Sequence, residues 1–273
     1  MRAFFVGNQQ FTNMVQNISY RKFAFIERIK LTVKYFFGSI VIFSLSNGIA
    51  VKFWYPDHYL FLTGTDKLLW LMASISLIVG PLLILIVSNL DKPRTALCRD
   101  VAVLSTLQFL ALGYGLYALY QGRPVAVVFE VDRFRVVSAA DVLMEELPQA
   151  LPSFQVLSLS GPKILSVRKS ANVDEKFEAV NLALQGFDLG QRPKYWQPIN
   201  NARRQVLERS RPVSELLAHY SMSRFDIQDR LIDLRVQPQT ARFLPVSGRT
   251  TNWTAVVGED SQLVGFVPYD GFF

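Results

Sequence analysis

Glu130 and Asp132 are the two side chains whose type and spacing come nearest to acid–base catalysis in this sequence. Residues two apart on a continuous β-strand point to the same face, so one carboxyl group could donate a proton while the other accepts one. Arg133 and Arg135 follow at once, and a polar face held by salt bridges is the simpler interpretation. We therefore predict no catalytic residue in this stretch.

Histidine and cysteine are scarce, and the chain has only His58, His219 and Cys98. A single cysteine excludes an intrachain disulfide and a zinc site built from several thiolates. His219 follows an apolar helical stripe, which is typical of a structural role. The sequence also lacks a Gly-rich phosphate loop, a G-x-S-x-G elbow and an H-E-x-x-H motif. We expect no enzymatic activity, no cofactor and no metal.

The basic charge of the chain is concentrated in its amino-terminal half. Lys and Arg outnumber Asp and Glu by 29 to 22, and residues 1–122 hold 11 of the basic residues against 5 of the acidic ones. The remaining residues are nearly neutral and mix both signs, whereas a nucleic-acid-binding domain presents a basic face. No nucleic-acid partner is expected.

Three uncharged runs lie at 35–51, 68–90 and 101–120. At 1.5 Å per residue, about 20 apolar residues cross the hydrocarbon core of a lipid bilayer, which is about 30 Å thick. Phe53, Trp54 and Tyr55 can extend the first run into the interface while Lys52 snorkels. The sequence predicts a membrane protein with three transmembrane α-helices, at about 35–55, 68–90 and 101–120.

A cleaved signal peptide is the alternative for the first run, because Gly48, Ile49 and Ala50 resemble a cleavage site. The basic lead of 34 residues is longer than a usual leader, and aromatic residues follow the run. An uncleaved span is therefore the preferred interpretation.

Lys and Arg in the short connecting segments predict the orientation of the spans. Six precede the first span, two lie within 52–67 and three within 91–100, and positively charged loops stay in the cytoplasm. We expect residues 1–34 to form a basic cytoplasmic segment, 35–122 a three-helix transmembrane domain and 123–273 a periplasmic domain. The chain would then be a multi-pass protein of a bacterial inner membrane with a cytoplasmic amino terminus.

Each predicted span carries two small residues four positions apart, which share one helix face and let another helix approach closely. Packing among the three spans and docking of a partner's transmembrane helix both fit this pattern. Pro81 should also kink the second span, because proline lacks a backbone donor. The pairs are Ser44 with Gly48, Ser76 with Gly80, and Ala111 with Gly115.

Residues 123–273 change from strand to helix patterns and back. The string VAVVFEVDRFRVVSAADV, from residue 125, predicts a strand or hairpin, and 139–147 predicts a short helix. Helices are also predicted at 172–185, at 200–209 and from residue 213, and a three-stranded β-meander within 241–269. The fold class is therefore three transmembrane α-helices followed by an α+β extracytoplasmic domain.

The helix at 172–185 has the clearest pattern of the soluble part. Asn172 with Glu175 forms a start resembling a capping box, and Gly186 is placed to end the helix. Its apolar residues keep helical spacing. They are Val173, Phe177, Val180 and Leu184.

Several strings together resemble the TfpX/TfpZ family of type IV pilin accessory proteins. They are FWYP at 53–56, VGPLLILIVSN at 79–89, the entry to the third span at 99–102, and YGLYALYQGRPVAVVFEVDRFRVVSAADV at 114–142. The resemblance implies an inner-membrane factor that supports the stability or assembly of a cognate major pilin without catalysis. Other pilus-assembly proteins of the inner membrane are further expected partners.

A pilin held in the inner membrane offers an apolar helix and a periplasmic head. We expect the small residues of the spans to receive the helix, and residues 123–137 to meet the head. Beyond the three pairs of small residues, the candidate partner-binding residues are Pro81, Arg123, Pro124, Phe129, Glu130, Asp132, Arg133 and Phe134.

Two other classes of function remain as alternatives. A membrane-bound pilin-modifying enzyme would need essential polar residues outside the membrane. A transmembrane sensor would need a cytoplasmic output, for which only the predicted segments 1–34 and 91–100 are available.

Overall fold

The computed structural model describes the backbone of residues 2–88 and 93–273, and the side chains from Phe25 onward within those ranges. The helices are α1 (Arg2–Trp54), α2 (Tyr59–Leu62), α3 (Asp66–Ser74), α4 (Gly80–Val87), α5 (Arg94–Gly122), α6 (Val173–Leu184), α7 (Arg203–Arg209), α8 (Val213–His219) and α9 (Arg224–Asp233). The strands are β1 (Pro124–Glu130), β2 (Arg133–Ser138), β3 (Lys163–Val167), β4 (Trp196–Pro198), β5 (Arg211–Pro212), β6 (Arg242–Ser247), β7 (Asn252–Val257) and β8 (Leu263–Val267).

Three helical stretches are long and apolar enough to cross a membrane, as the sequence predicts. They are Phe25–Trp54, Asp66–Val87 and Arg94–Gly122. The first and third extend beyond their uncharged runs at both ends, and the second begins two residues before its run. Residues 89–92, where the predicted second span ends and the next loop begins, lie outside the described residues.

The second apolar stretch is irregular next to its proline. A π-helical turn at Ile75–Val79 joins α3 to α4, and the N–H of Gly80 donates to the carbonyl of Ile75. Proline provides no N–H and its ring clashes with the carbonyl four residues earlier, so a wider turn relieves both problems. A π turn therefore precedes Pro81, and the kink predicted there stays a prediction.

The chain packs as two compact units. The first unit runs to Gly48 and resumes over Leu68–Tyr117, and the second combines Ile49–Lys67 with Ala118–Phe273. The connection between the first two apolar helices therefore packs with the carboxyl-terminal domain. The predicted boundary between a membrane domain and a soluble domain at 122–123 stays a prediction.

A curled mixed sheet organises the second unit, with strand order β4-β3-β1-β2-β6-β7-β8 and β5 beside β6. The predicted hairpin is β1 with β2, and the predicted meander is β6, β7 and β8. A parallel pair, Phe134 with Val246, joins hairpin and meander into one sheet. β3 runs parallel to β1, and the sequence pattern did not predict it.

Strand β1 is buried along its whole length. Val127 and Phe129 face one apolar cluster, whereas Ala126 and Val128 face another on the opposite side of the sheet. A strand covered on both faces appears in the sequence as a continuous apolar run. The region after β2 differs from the prediction: two 3-10 turns, Ala139–Asp141 and Met144–Gln149, replace the short helix, because extended backbone at Val142 carries that side chain into the core.

Candidate partner-binding surfaces

Gln108 joins the three apolar helices within the first unit. Its Nε2 donates to the carbonyl of Ser76 at 2.9 Å and to Oγ of Ser39 at 3.3 Å, and its Oε1 accepts from the hydroxyl of Tyr35 at 2.5 Å. An amide among apolar helices needs such partners, because a buried polar group without a hydrogen bond is costly. Gln108 carries no charge and is not small, so neither pattern in the sequence indicates its role.

Replacing Gln108 by leucine is expected to weaken the packing of the apolar helices by about 1 kcal/mol, the usual scale for hydrogen bonds between helices in a membrane. Unfolding of the purified chain by SDS, followed by tryptophan fluorescence, should show a lower midpoint. Thr106→Val is the matched control, because among the described residues the Thr106 hydroxyl donates to the carbonyl of Ala102 in its own helix. Equal midpoints for both variants would contradict the bridging role.

The small residues of the second and third stretches mostly take part in packing within the first unit. Ser76 and Pro81 are buried. A Cβ added at Gly80 would collide with the side chain of Gln108, and one at Gly115 would collide with Met72. Ala111 remains exposed.

Ser44 and Gly48 on α1 lie on an open face instead. Both residues are exposed, and a Cβ added at Gly48 would meet no atom within 4 Å. Val41 and Leu45 beside them are also exposed. Within the described helices, this predicted pair is therefore available to a further helix. At Gly80 and Gly115, by contrast, side chains of the first unit already fill the space.

Most of the segment 123–137 is buried in the sheet. Arg123, Pro124, Phe129, Glu130 and Phe134 have little exposed surface. The part of the segment that offers side chains to another molecule is the turn between β1 and β2. Binding of a partner by this segment stays a prediction, and its accessible residues are Val131, Asp132 and Arg133.

Glu130 is held by an ion-pair cluster. Its carboxylate accepts from the N–H of Gly190 at 2.5 Å and lies 3.2 Å from Nε of Arg135, which also contacts Asp188 at 2.5 Å. Burial raises the pKa of Glu130 above its ordinary value, although Arg135 and the Gly190 N–H act in the opposite direction. These contacts tie the hairpin to the chain at Gly190.

Asp132 does not share a strand face with Glu130, because β1 ends at Glu130 and Asp132 lies in the turn. It pairs with Arg133 at 2.8 Å on the surface. The ring of His219 stacks on Phe273, with centroids 3.9 Å apart. Within the described ranges, no three His, Cys, Asp or Glu side chains are close enough to hold a metal ion.

The tip of the hairpin borders a groove of about 460 Å³, which we call the distal groove. Val131 has a φ of +46°, a conformation that β-branched residues rarely adopt, and strained residues of this kind often occur at functional positions. The groove combines apolar and basic side chains with one acidic side chain, Glu208, which pairs with Arg204 at 2.7 Å. Its lining includes Phe129, Val131, Leu189, Arg168, Lys169, Arg204 and Arg209.

Helix α6 begins and ends as predicted. The Asn172 side chain accepts from the N–H of Glu175 at 2.8 Å, and Gly186 after the helix has a φ of +94°. Its apolar stripe faces outward, however, and no residue of the helix is fully buried. Helical spacing shows which residues share a face but not what covers it. The exposed stripe consists of Val173, Phe177, Val180 and Leu184.

The chain is similar along most of its length to curated proteins of Dichelobacter nodosus. It is 34% identical over 250 residues to the fimbrial assembly protein of serogroup I, and 33% identical over 250 residues to that of serogroup E1; each alignment covers 91% of this chain and 97% of the relative. The fimbrial assembly protein of serogroups C1 and C2 is 38% identical over 126 residues, which cover 46% of this chain and 96% of that protein. No family model and no solved structure matches the chain.

Proposed function

The chain belongs to the family of fimbrial assembly proteins, in agreement with its resemblance to type IV pilin accessory proteins, and we propose that it supports the assembly of a cognate major pilin by non-catalytic binding. The observation that carries this proposal is the similarity over nearly the whole length of chain and relatives. The open face of α1 and the exposed surfaces of the second unit are the places where a partner would bind.

The three apolar stretches cross the bacterial inner membrane in this proposal. Residues 49–67 and the carboxyl-terminal domain share one compact unit, so they belong on the same side. This supports two membrane crossings between Leu68 and Tyr117, one away from that side and one back to it. The excess of Lys and Arg before the first stretch and between the second and third favours a periplasmic position for the second unit.

The membrane-embedded helix of the pilin docks on the α1 face around Ser44 and Gly48. Lipid tails are as apolar as the helices, so the hydrophobic effect does not drive helices in lipid together. They associate through close packing at small residues instead. The pilin head then meets the second unit at the distal groove or the α6 stripe, which provide basic and apolar contact surface.

Gly48→Leu is expected to lower surface piliation and the pilin level several-fold, because the larger side chain keeps a partner helix from the α1 face. Gly113→Leu is the matched control: Gly113 also lies in an apolar helix with no atom within 4 Å of an added Cβ. Piliation, pilin level and the level of each variant would be measured in cells that make the pilin.

Deletion of the gene tests the proposal as a whole, and unchanged pili after deletion would contradict it. Photo-crosslinking from Leu45, on the α1 face, should capture the pilin, whereas Leu110, exposed on α5, should not. Capture from both positions, or from neither, would contradict docking on α1 without contradicting a role in assembly.

A further inference from the structure

One loop of the second unit, residues 151–160, exposes apolar side chains beside the ends of two apolar helices. We call it the interfacial loop. Val156 is 75% exposed and Leu159 is 59% exposed, and Leu151 is also open to solvent. Phe154 of the same loop is buried in the core beneath it, so the loop is anchored on one side and presents its apolar residues on the other.

The loop is fixed to the end of α5 by an arginine. The Nε of Arg123 donates to the carbonyl of Ser158 at 3.1 Å, and its Nη1 donates to the carbonyl of Tyr120 at 2.6 Å. The guanidinium also lies over the Tyr120 ring, 3.8 Å from its centroid. Arg123 is nearly fully buried, so its side chain has little freedom to move. Its bonds to both carbonyls therefore hold Ser158 next to Tyr120, at the level at which the third apolar stretch ends.

A second contact, made by the residue that follows the loop, ties it to the end of α1. Gly161 has a φ of +70°, and a Cβ at this position would lie 2.8 Å from Cγ of Pro56. Pro56 lies two residues after Trp54, whose ring packs edge-on against Tyr120 with centroids 5.4 Å apart. Trp and Tyr at the ends of membrane helices mark the headgroup region. The loop therefore lies at the depth of this aromatic pair.

We propose that the interfacial loop inserts Val156 and Leu159 into the boundary between lipid headgroups and acyl chains. The inference rests on the proposed membrane placement. At that depth the surroundings change from water to lipid. Moving apolar side chains from water into lipid lowers the free energy. The loop is then a third attachment, beside α1 and α5, that restrains the second unit against the bilayer surface.

Spin labels on the full chain in phosphatidylcholine and phosphatidylglycerol nanodiscs test this insertion. In a Cys98→Ser background, the variants Val156→Cys and Leu159→Cys carry the label at the loop. Val131→Cys is the aqueous reference, because it lies beyond β1, whose seven residues span about 23 Å. Phe109→Cys, exposed within α5, is the reference for lipid.

The ratio of collision with oxygen to collision with a water-soluble nickel chelate should be several-fold higher at Val156 and Leu159 than at Val131. If both loop labels match Val131 while Phe109 reports lipid, loop insertion is overturned and the membrane placement stands. An aqueous signal at Phe109 would overturn the placement together with the insertion. Labels at the loop that neither reagent reaches would mean that protein covers it, which also overturns the insertion.

Discussion

Replacing Arg192 by alanine is expected to lower the free energy of unfolding of the second unit by about 3 kcal/mol, the lower end of the range for breaking a buried ion pair. The Arg192 side chain is fully buried, and it donates through Nε and Nη2 to Glu146, which is buried as well. Its removal leaves a carboxylate in a region of low dielectric. Lys194, 3.2 Å from Glu146, limits the loss.

The pair itself is not expected to add stability over apolar residues of similar size. Nη1 of Arg192 is buried and has no hydrogen-bond partner among the described residues, and an incompletely bonded buried pair often does no better than its apolar replacement. The double variant Arg192→Met, Glu146→Leu should therefore recover most of the loss. Urea unfolding of the full chain in mild detergent measures each variant.

Arg204→Ala provides the control for this series. Arg204 pairs with Glu208 on the surface of α7 and is almost fully exposed, so its removal should leave the unfolding midpoint nearly unchanged. If the double variant is as unstable as Arg192→Ala alone, the ion pair itself stabilises this region. The loss in Arg192→Ala would then not come from leaving Glu146 without its partner.

Leu62→Ala is the second change with a large expected effect, a loss of about 2–5 kcal/mol. Leu62 is 0% exposed and belongs to the cluster that includes Phe129, Phe134 and Phe266. Truncation leaves a cavity in that cluster and removes apolar contact between the connection 49–67 and the sheet. The neighbouring residue Phe61 is exposed on the same helix α2, and Phe61→Ala should change stability little.

Gly248→Ala tests the same contact from the opposite side. A Cβ at Gly248 would collide with the carbonyl oxygens of Leu62 and Thr251, and backbone atoms cannot rotate away as a side chain does. We expect faster proteolysis within residues 56–65 of the folded chain, measured by mass spectrometry of the fragments. Wild-type cleavage rates in Gly248→Ala and Leu62→Ala would refute the attachment of this connection to the sheet.

The features that could be predicted from the sequence are those that depend on neighbouring residues. Uncharged runs predicted the three apolar helices, and the Asn172 cap with Gly186 predicted α6. The strand pattern predicted the hairpin and the meander, but the parallel pairing of Phe134 with Val246 joins segments more than 100 residues apart. No local pattern contains that information.

The candidate surfaces were predicted less completely, for related reasons. Small-residue spacing identified Ser44 with Gly48 and Ser76 with Gly80 alike, whereas only tertiary packing shows that Gly80 already faces Gln108. The helical spacing of the apolar residues predicted α6 but not the surroundings of their stripe, and nothing in the described structure covers it. Residues 123–137 contain much of the family resemblance and are mostly buried, so that resemblance reflects the core of the sheet as much as any binding surface.

The contribution of residues 49–67 to the core affects how the chain can be made. Tyr59 and Leu62 are synthesised long before Phe266, which belongs to the same apolar cluster. Their side chains therefore lack this packing partner while two further apolar helices are synthesised. Under the proposed placement, the second unit can fold only after residues 49–67 and the carboxyl-terminal domain have both been translocated to the same compartment. A fragment that starts at Arg123 would lack Tyr59 and Leu62, and it is expected to aggregate when expressed alone.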